Sequence, residues 1–175
     1  MQNYDSIKQK IRVIPNFPKR GIVFRDITTL LKDPEGLKDT ISAFHERYKV
    51  YDIDAVAGIE ACGFILGGAL AYTLGVGFIP VRKKGKLPAD VEREEYELEY
   101  GTGVVEVHKD AVKPGMKILL VDDQIATGGT CSASIHLLEK LGGKVVECAF
   151  IVDLPDFRKI KIPVPCFTLV KFEEE

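Results

Sequence analysis

Polar and apolar positions follow two spacings along this chain. Behind Asp33-Pro34, where an Asp can cap a helix and a Pro can take its first turn, Leu37, Ile41, Phe44 and Tyr48 recur on one helical face. Elsewhere the apolar residues come in short runs, at residues 54–59, 77–82, 118–121, 145–152 and 166–172. Runs of that length fit strands covered on both faces, as in a parallel sheet. Helices are expected between them, over 63–74 and again after Thr130. In the second of these Ala133, Leu137, Leu138 and Leu141 share a face, and Gly142-Gly143 supplies the stop. Ile7 and Ile11 predict a short first helix over 4–12, before Pro15 and Pro18 impose an extended link. Strands alternating with helices give an α/β fold with a mostly parallel central sheet flanked by helices. The amino-terminal segment reads as a small hood over that sheet. With no linker, repeat or low-complexity stretch, residues 1–175 read as one domain.

The charged stretch from Lys83 to Gly101 interrupts the pattern. It predicts a solvated loop, or a flexible lid that closes over a substrate and excludes water. Val104 to Val107 then belongs to a short strand pair.

Composition narrows the function classes. A chain of 175 residues with 46% hydrophobic content can bury a real core. Its net charge of −2 provides no general basic field, so no nucleic-acid partner is expected. Ala61 to Val81 carries no charge and is long enough to span a bilayer, but its five glycines and Pro80 fit a buried helix, a turn and a buried strand better. No membrane partner is expected. Cys62, Cys131, Cys148 and Cys166 lack Cys-x-x-Cys spacing and suggest no zinc site. Behind an amino terminus without signal-peptide character, they read as reduced thiols of a cytoplasmic protein. Cys148 and Cys166 lie in apolar stretches and are expected to pack as small hydrophobes.

The most informative segment is Ile-Leu-Leu-Val-Asp-Asp-Gln-Ile-Ala-Thr-Gly-Gly-Thr, residues 118–130. An apolar strand ends in two adjacent carboxylates, and a loop of small residues leads into a helix. Ligands bind at that edge of open α/β sheets. Ala126, Thr127, Gly128, Gly129 and Thr130 have little bulk, so their backbone N–H groups can converge on an anion, helped by the helix dipole. Neither a Gly-Lys-Ser/Thr loop nor Gly-x-Gly-x-x-Gly is present, which argues against nucleoside-triphosphate and dinucleotide loops. Asp122 and Asp123 would repel a phosphate but can accept from vicinal hydroxyls. Together the pieces describe a site for a ribose 5-phosphate. Arg82, Lys83, Lys84 and Lys86 at another strand end read either as a solvated turn or as a clamp for pyrophosphate.

These residues resemble a known family. Residues 118–130 are similar to the phosphoribosyl-diphosphate signature of type I phosphoribosyltransferases. Val23-Phe24-Arg25-Asp26-Ile27, Arg82 to Pro88 and Leu98-Glu99-Tyr100-Gly101 resemble the adenine-specific branch, in its order and spacing through nearly the whole chain. The resemblance implies transfer of a phosphoribosyl group from 5-phosphoribosyl 1-diphosphate to adenine, giving AMP and pyrophosphate. It assigns Asp122, Asp123 and residues Ala126 to Thr130 to the phosphoribosyl group. Arg82, Lys83, Lys86 and Ala61 are assigned to pyrophosphate, and Val23, Phe24 and Arg25 to the base. Glu99 would be the acid–base residue over the base. It further implies a homodimer and Mg²⁺ carried by the substrate, with no metal site of the protein's own.

Two positions depart from the family pattern. Cys62 stands in Ile59-Glu60-Ala61-Cys62-Gly63-Phe64 where the family usually has Arg, and a thiol has neither fixed charge nor a donor fork. Gln124 replaces an apolar residue. Two alternatives follow: a catalytically weakened nucleotide-binding regulator, or a transferase for another purine base.

Overall fold

The computed structural model describes residues 4–97 and 101–173. Along the chain run α1 (Asp5–Gln9), β1 (Arg12–Pro15), β2 (Val23–Asp26), α2 (Thr28–Leu31), α3 (Pro34–Tyr48), β3 (Ala55–Ile59), α4 (Cys62–Leu74), β4 (Gly77–Lys83) and β5 (Val91–Glu97). They are followed by β6 (Thr102–His108), β7 (Lys117–Ile125), α5 (Gly129–Lys140), β8 (Lys144–Asp153) and β9 (Cys166–Lys171). Seven strands form one sheet in the order β5-β6-β4-β3-β7-β8-β9. β4, β3, β7, β8 and β9 are parallel, while β5 and β6 are antiparallel.

The unbroken apolar runs occupy the middle of this sheet. Every residue of β3 is buried, because both of its faces are covered. One face packs Val56, Leu119, Val121 and Ile151 against Phe44, Leu66 and Leu70 of α3 and α4. The other packs Ala57, Leu120, Cys148 and Phe150 against Ile135, Leu137 and Leu138 of α5. α3 begins as expected: the Asp33 carboxylate accepts the Gly36 N–H at 2.6 Å, and Pro34 follows it. α4 is held unusually close to β3 and β7 by glycines. A Cβ on Gly58 would lie 2.3 Å from the Gly63 carbonyl oxygen, and one on Gly63 would lie 2.6 Å from that of Val121.

Three elements differ from the sequence reading. The first helix stops at Gln9, because Arg12–Pro15 pairs antiparallel with Val23–Asp26 to make a separate two-stranded sheet. The Arg12 guanidinium clasps Asp26 across that pair and holds the Asp26 carboxyl down to about pKa 2. In the charged stretch expected to be a loop, Val91–Glu97 is an edge strand paired with Thr102–His108. Its inward face is tied to α5, where Lys140 donates to Glu92 at 2.7 Å. The third difference is in β7, which continues through the two acids to Ile125: Asp122, Gln124 and Ile125 stay in register with Phe150, Val152 and Asp153 of β8.

Candidate active site

The carboxyl ends of β3, β4, β7 and β8 converge at one edge of the sheet. There a recess of about 220 Å³ is lined by Asp122, Asp123, Gln124 and residues 125–131, with Ile59 and Phe150 behind them. The loop Ala126 to Gly128 delivers the chain into α5, whose first residues are Gly129 and Thr130. Gly128 makes the turn with φ 91°, a left-handed conformation that favours glycine. A Cβ there would also press on the Ile160 carbonyl at 3.1 Å. The loop's amides and the helix amino terminus together make an anion seat.

The acids sit deep. Burial, then repulsion from Asp123, pushes the Asp122 carboxyl well above the usual carboxylate range, and burial raises Asp123 as well. Asp122 accepts the amide of Asp123 at 2.9 Å and the amide of Gly63, and Asp123 accepts the amide of Gln124 at 2.9 Å and the Cys62 thiol. Asp122 and Asp123 also share a side-chain hydrogen bond, and two carboxyls crowded in a poorly solvated recess are an arrangement that a hydroxyl-rich ligand or a cation would relieve.

Cys62 opens α4, directly after a cis peptide between Glu60 and Ala61. Burial pushes its thiol up to about 11, reinforced by Asp123, Asp122 and Asp26. It is therefore a neutral S–H donor at the acids.

Arg82 is brought to this edge but is already engaged. Its Nε and Nη2 donate to Glu60 at 3.2 and 3.1 Å, and its Nη1 donates to the Lys86 carbonyl at 3.0 Å. The Lys83 amide also donates to Glu60, at 3.0 Å. Glu60 thus fixes both Arg82 and the basic turn that follows it.

The tripeptide Val23-Phe24-Arg25 lies in β2, and the strand's alternation divides it. Val23 and Arg25 line a cleft of about 950 Å³ with Lys8, Leu154, Phe157 and Phe172. Phe24 instead meets the edge of Phe17, with ring centroids 5.3 Å apart. Arg25 stacks on Phe172, 4.5 Å from the ring centroid. Leu154 links cleft and recess, since its amide donates to the Ile125 carbonyl at 2.9 Å.

Glu99 lies outside the described residues. Glu97, shortly before it, reaches the anion seat: a Cβ on Gly129 would lie 3.1 Å from the Glu97 carbonyl oxygen and 3.4 Å from Tyr96.

Sequence reasoning did not single out the brace behind the loop. Arg158 Nε donates to the Ala126 carbonyl at 2.7 Å and its Nη2 to Asp153 at 2.6 Å, while the amides of Lys159 and Ile160 donate to the Thr127 carbonyl at 3.1 and 3.0 Å. Its one sequence signal is Pro155, which ends β8 and turns this segment back over the loop. Glu60 was missed too, because a lone Glu in an apolar stretch says nothing of its partner.

Comparison with known proteins decides the family. Residues 26–173 match the phosphoribosyl transferase domain model. The adenine phosphoribosyltransferase of Chlorobium phaeovibrioides is 59% identical over 175 residues, covering 97% of this chain and 99% of that protein. The chain belongs to the adenine phosphoribosyltransferase family. Solved members of the family share its fold. The enzyme of Thermoanaerobacter pseudethanolicus superposes with a TM-score of 0.93 at 46% identity, over 97% of this chain and 100% of that one. The Saccharomyces cerevisiae enzyme, crystallised with adenine and an imino-altritol bisphosphate, gives 0.89 at 37% identity, over 95% of this chain and 98% of that one.

Proposed function

We propose that the chain makes AMP and pyrophosphate from adenine and 5-phosphoribosyl 1-diphosphate, as a purine salvage transferase. The observation that carries this reading is the junction of a buried Asp122–Asp123 pair with the amide-lined seat of residues 126–130 at the start of α5.

In this reading the amides of Ala126 to Thr130, with the Thr127 and Thr130 hydroxyls, hold the 5-phosphate. Asp122 and Asp123 accept from the ribose hydroxyls. As the anomeric carbon takes on oxocarbenium character, their negative charge stabilises it in a site already shielded from water. Pyrophosphate meets the Ala61 amide at the amino end of α4, together with Arg82, Lys83 and Lys86. Arg82 then divides its donors between Glu60 and the leaving group, whose growing charge favours the exchange. The backbone of Val23 and Arg25 reads the base edge and Phe24 supplies an aromatic face. Glu99 manages the proton on the base, and the charged segment from Lys83 to Gly101 serves as the lid.

Among the described residues no cluster of three or more metal-ligating side chains occurs. A magnesium ion held by the substrate's oxygens and water fits a recess whose lining, among the described residues, offers carboxylates from Asp122 and Asp123. Such an ion supplies charge neutralisation of the diphosphate. We place the protein in the cytoplasm as a single-domain homodimer. Supporting this, no helix among the described residues is long and apolar enough to cross a membrane, and Ile65 and Tyr72 leave an exposed apolar face on α4 for a second copy.

A coupled assay with adenine, phosphoribosyl diphosphate and Mg²⁺ tests the reading. AMP should accumulate, and no product at high enzyme concentration would end it. Cys62→Arg, which restores a guanidinium beside the acids, should lower KM for phosphoribosyl diphosphate by roughly tenfold to a hundredfold, as one charged contact of about 1.5–3 kcal/mol implies. An unchanged or higher KM would show that the thiol is no handicap.

One observation bears on base choice. The Gln124 amide oxygen lines the recess, buried and without a hydrogen-bond partner. An amino group on the ligand would satisfy it, so Gln124→Leu should shift a purine panel away from amino-bearing bases.

A further inference from the structure

Three of the four cysteines form a line from the surface to the floor of the recess. Cys166 on β9 is exposed; Cys148 on β8 and Cys131 in the first turn of α5 are buried. Cys148 and Cys166 are direct partners in the parallel register. Cys131 donates its S–H to the Cys148 sulfur at 3.7 Å, and Cys148 in turn donates to Cys166. The sequence reading packed Cys166 as a small hydrophobe. Its place near the start of the last strand, after Pro165, leaves it at the surface instead.

We infer that Cys166 and Cys148 are an oxidant-responsive dithiol, in which a hydroperoxide oxidises Cys166 and Cys148 then closes a disulfide with it. Geometry permits the bond. Neighbouring strands lie about 4.8 Å apart, within the roughly 4.4–6.8 Å between Cα atoms that a disulfide spans. The order of events follows from exposure, since Cys166 is exposed and Cys148 is fully buried. Chemistry follows the same order. The bond from Cys148 and the nearby Arg158 hold the Cys166 thiol below its ordinary range against the opposing effect of burial, whereas donation to Cys166, together with burial, keeps Cys148 protonated.

In the first step the Cys166 thiolate attacks the peroxide. An S–O bond forms, the O–O bond breaks, and the peroxide leaves as an alcohol or water, giving a sulfenic acid. In the second, the Cys148 sulfur attacks the Cys166 sulfur. The S–S bond forms, the S–O bond breaks, and the Cys148 proton departs with the oxygen as water. Two thiols lose two electrons in total and the peroxide gains them. Drawing the Cys148 sulfur toward β9 removes the acceptor under Cys131, and with it part of the packing that seats α5 and the anion loop. That consequence rests on the function proposed above; the disulfide itself does not.

The test treats the full chain with hydrogen peroxide, blocks free thiols, and maps peptides without reduction. A Cys148–Cys166 peptide, released by dithiothreitol, is expected. Cys166→Ser should leave Cys148 reduced, and Cys148→Ala should leave a sulfenic acid on Cys166 that dimedone traps. The inference is overturned by Cys166 found only as sulfinic or sulfonic acid beside a free Cys148, by a Cys166–Cys166 link between copies, or by Cys148 oxidised in Cys166→Ser. The oxidised protein should also show a severalfold higher KM for phosphoribosyl diphosphate, and peroxide-treated Cys166→Ser should not. Equal KM values would overturn the link to the loop while leaving the disulfide result intact.

Discussion

Asp122→Asn should make the unliganded protein more stable and the enzyme roughly a hundredfold slower. Both effects come from one cause. In the empty recess the Asp122 carboxylate is desolvated and faces Asp123, so its pKa is raised. A carboxyl whose folded pKa exceeds its unfolded value favours the fold while it is protonated, and this contribution is lost as pH rises through the folded pKa. Asn cannot ionise, so the variant's advantage in Tm should be small in acid and widen toward neutral pH. Catalysis needs the charge that stability does not. Against a developing cation, an amide oxygen replaces a carboxylate poorly, and losing one such electrostatic contact costs on the order of 10²–10³ in rate. Thermal scans at several pH values, paired with kcat/KM for phosphoribosyl diphosphate, check both halves. A variant less stable than wild type at neutral pH would mean that the pair is neutralised in the unliganded protein. Full activity would remove Asp122 from the mechanism.

Gly58→Ala should cost about 3 kcal/mol, the upper part of the range for overpacking a tight core. The added Cβ would lie 2.3 Å from the Gly63 carbonyl oxygen and 2.7 Å from the Phe78 ring. The ring can turn, but the carbonyl is backbone at the start of α4 and cannot give way without moving that helix. At 2–4 °C per kcal/mol for a chain of this size, Tm should fall by roughly 6–12 °C. Gly68→Ala, on the same helix with nothing within 4 Å of its Cβ, supplies the contrast. There the lost backbone freedom should stabilise the protein by about 0.5–1 kcal/mol. Comparable Tm values for the two variants would show that α4 does not ride on β3 through its glycines. Because Gly63 also donates its amide to Asp122, lifting α4 should disturb the acids as well. Gly58→Ala should therefore lose activity below its melting range.

The difference between these glycines shows what a sequence can and cannot display. Apolar runs with both faces covered announced β3, β7 and β8, and Asp33-Pro34 announced α3, because those signals are local. The anion seat was legible for the same reason: small residues between a strand and a helix have few other uses. Long-range partners were not legible. Val91–Glu97 carries four glutamates and an arginine, so its composition reads as solvated. It is a strand because β6 pairs with it, and as an edge strand it can keep charge on its outer face. Arg82 is a cation at a strand end in either reading, and only the fold reveals that Glu60 holds it. The strand through Asp122 and Asp123 persists past its apolar run because β8 continues alongside. The Arg158 brace depends on a turn that brings distant residues behind the loop. In each case the missing information was a contact between residues far apart in sequence.

The claim on which the rest depends is that this recess holds a phosphorylated ribose. A crystal grown with AMP measures it directly. The phosphate should sit on the amides of residues 126–130, the ribose hydroxyls on Asp122 and Asp123, and the purine in the cleft beside Val23 and Arg25. A nucleotide bound elsewhere, or with its phosphate away from that loop and its sugar off the two acids, would contradict it.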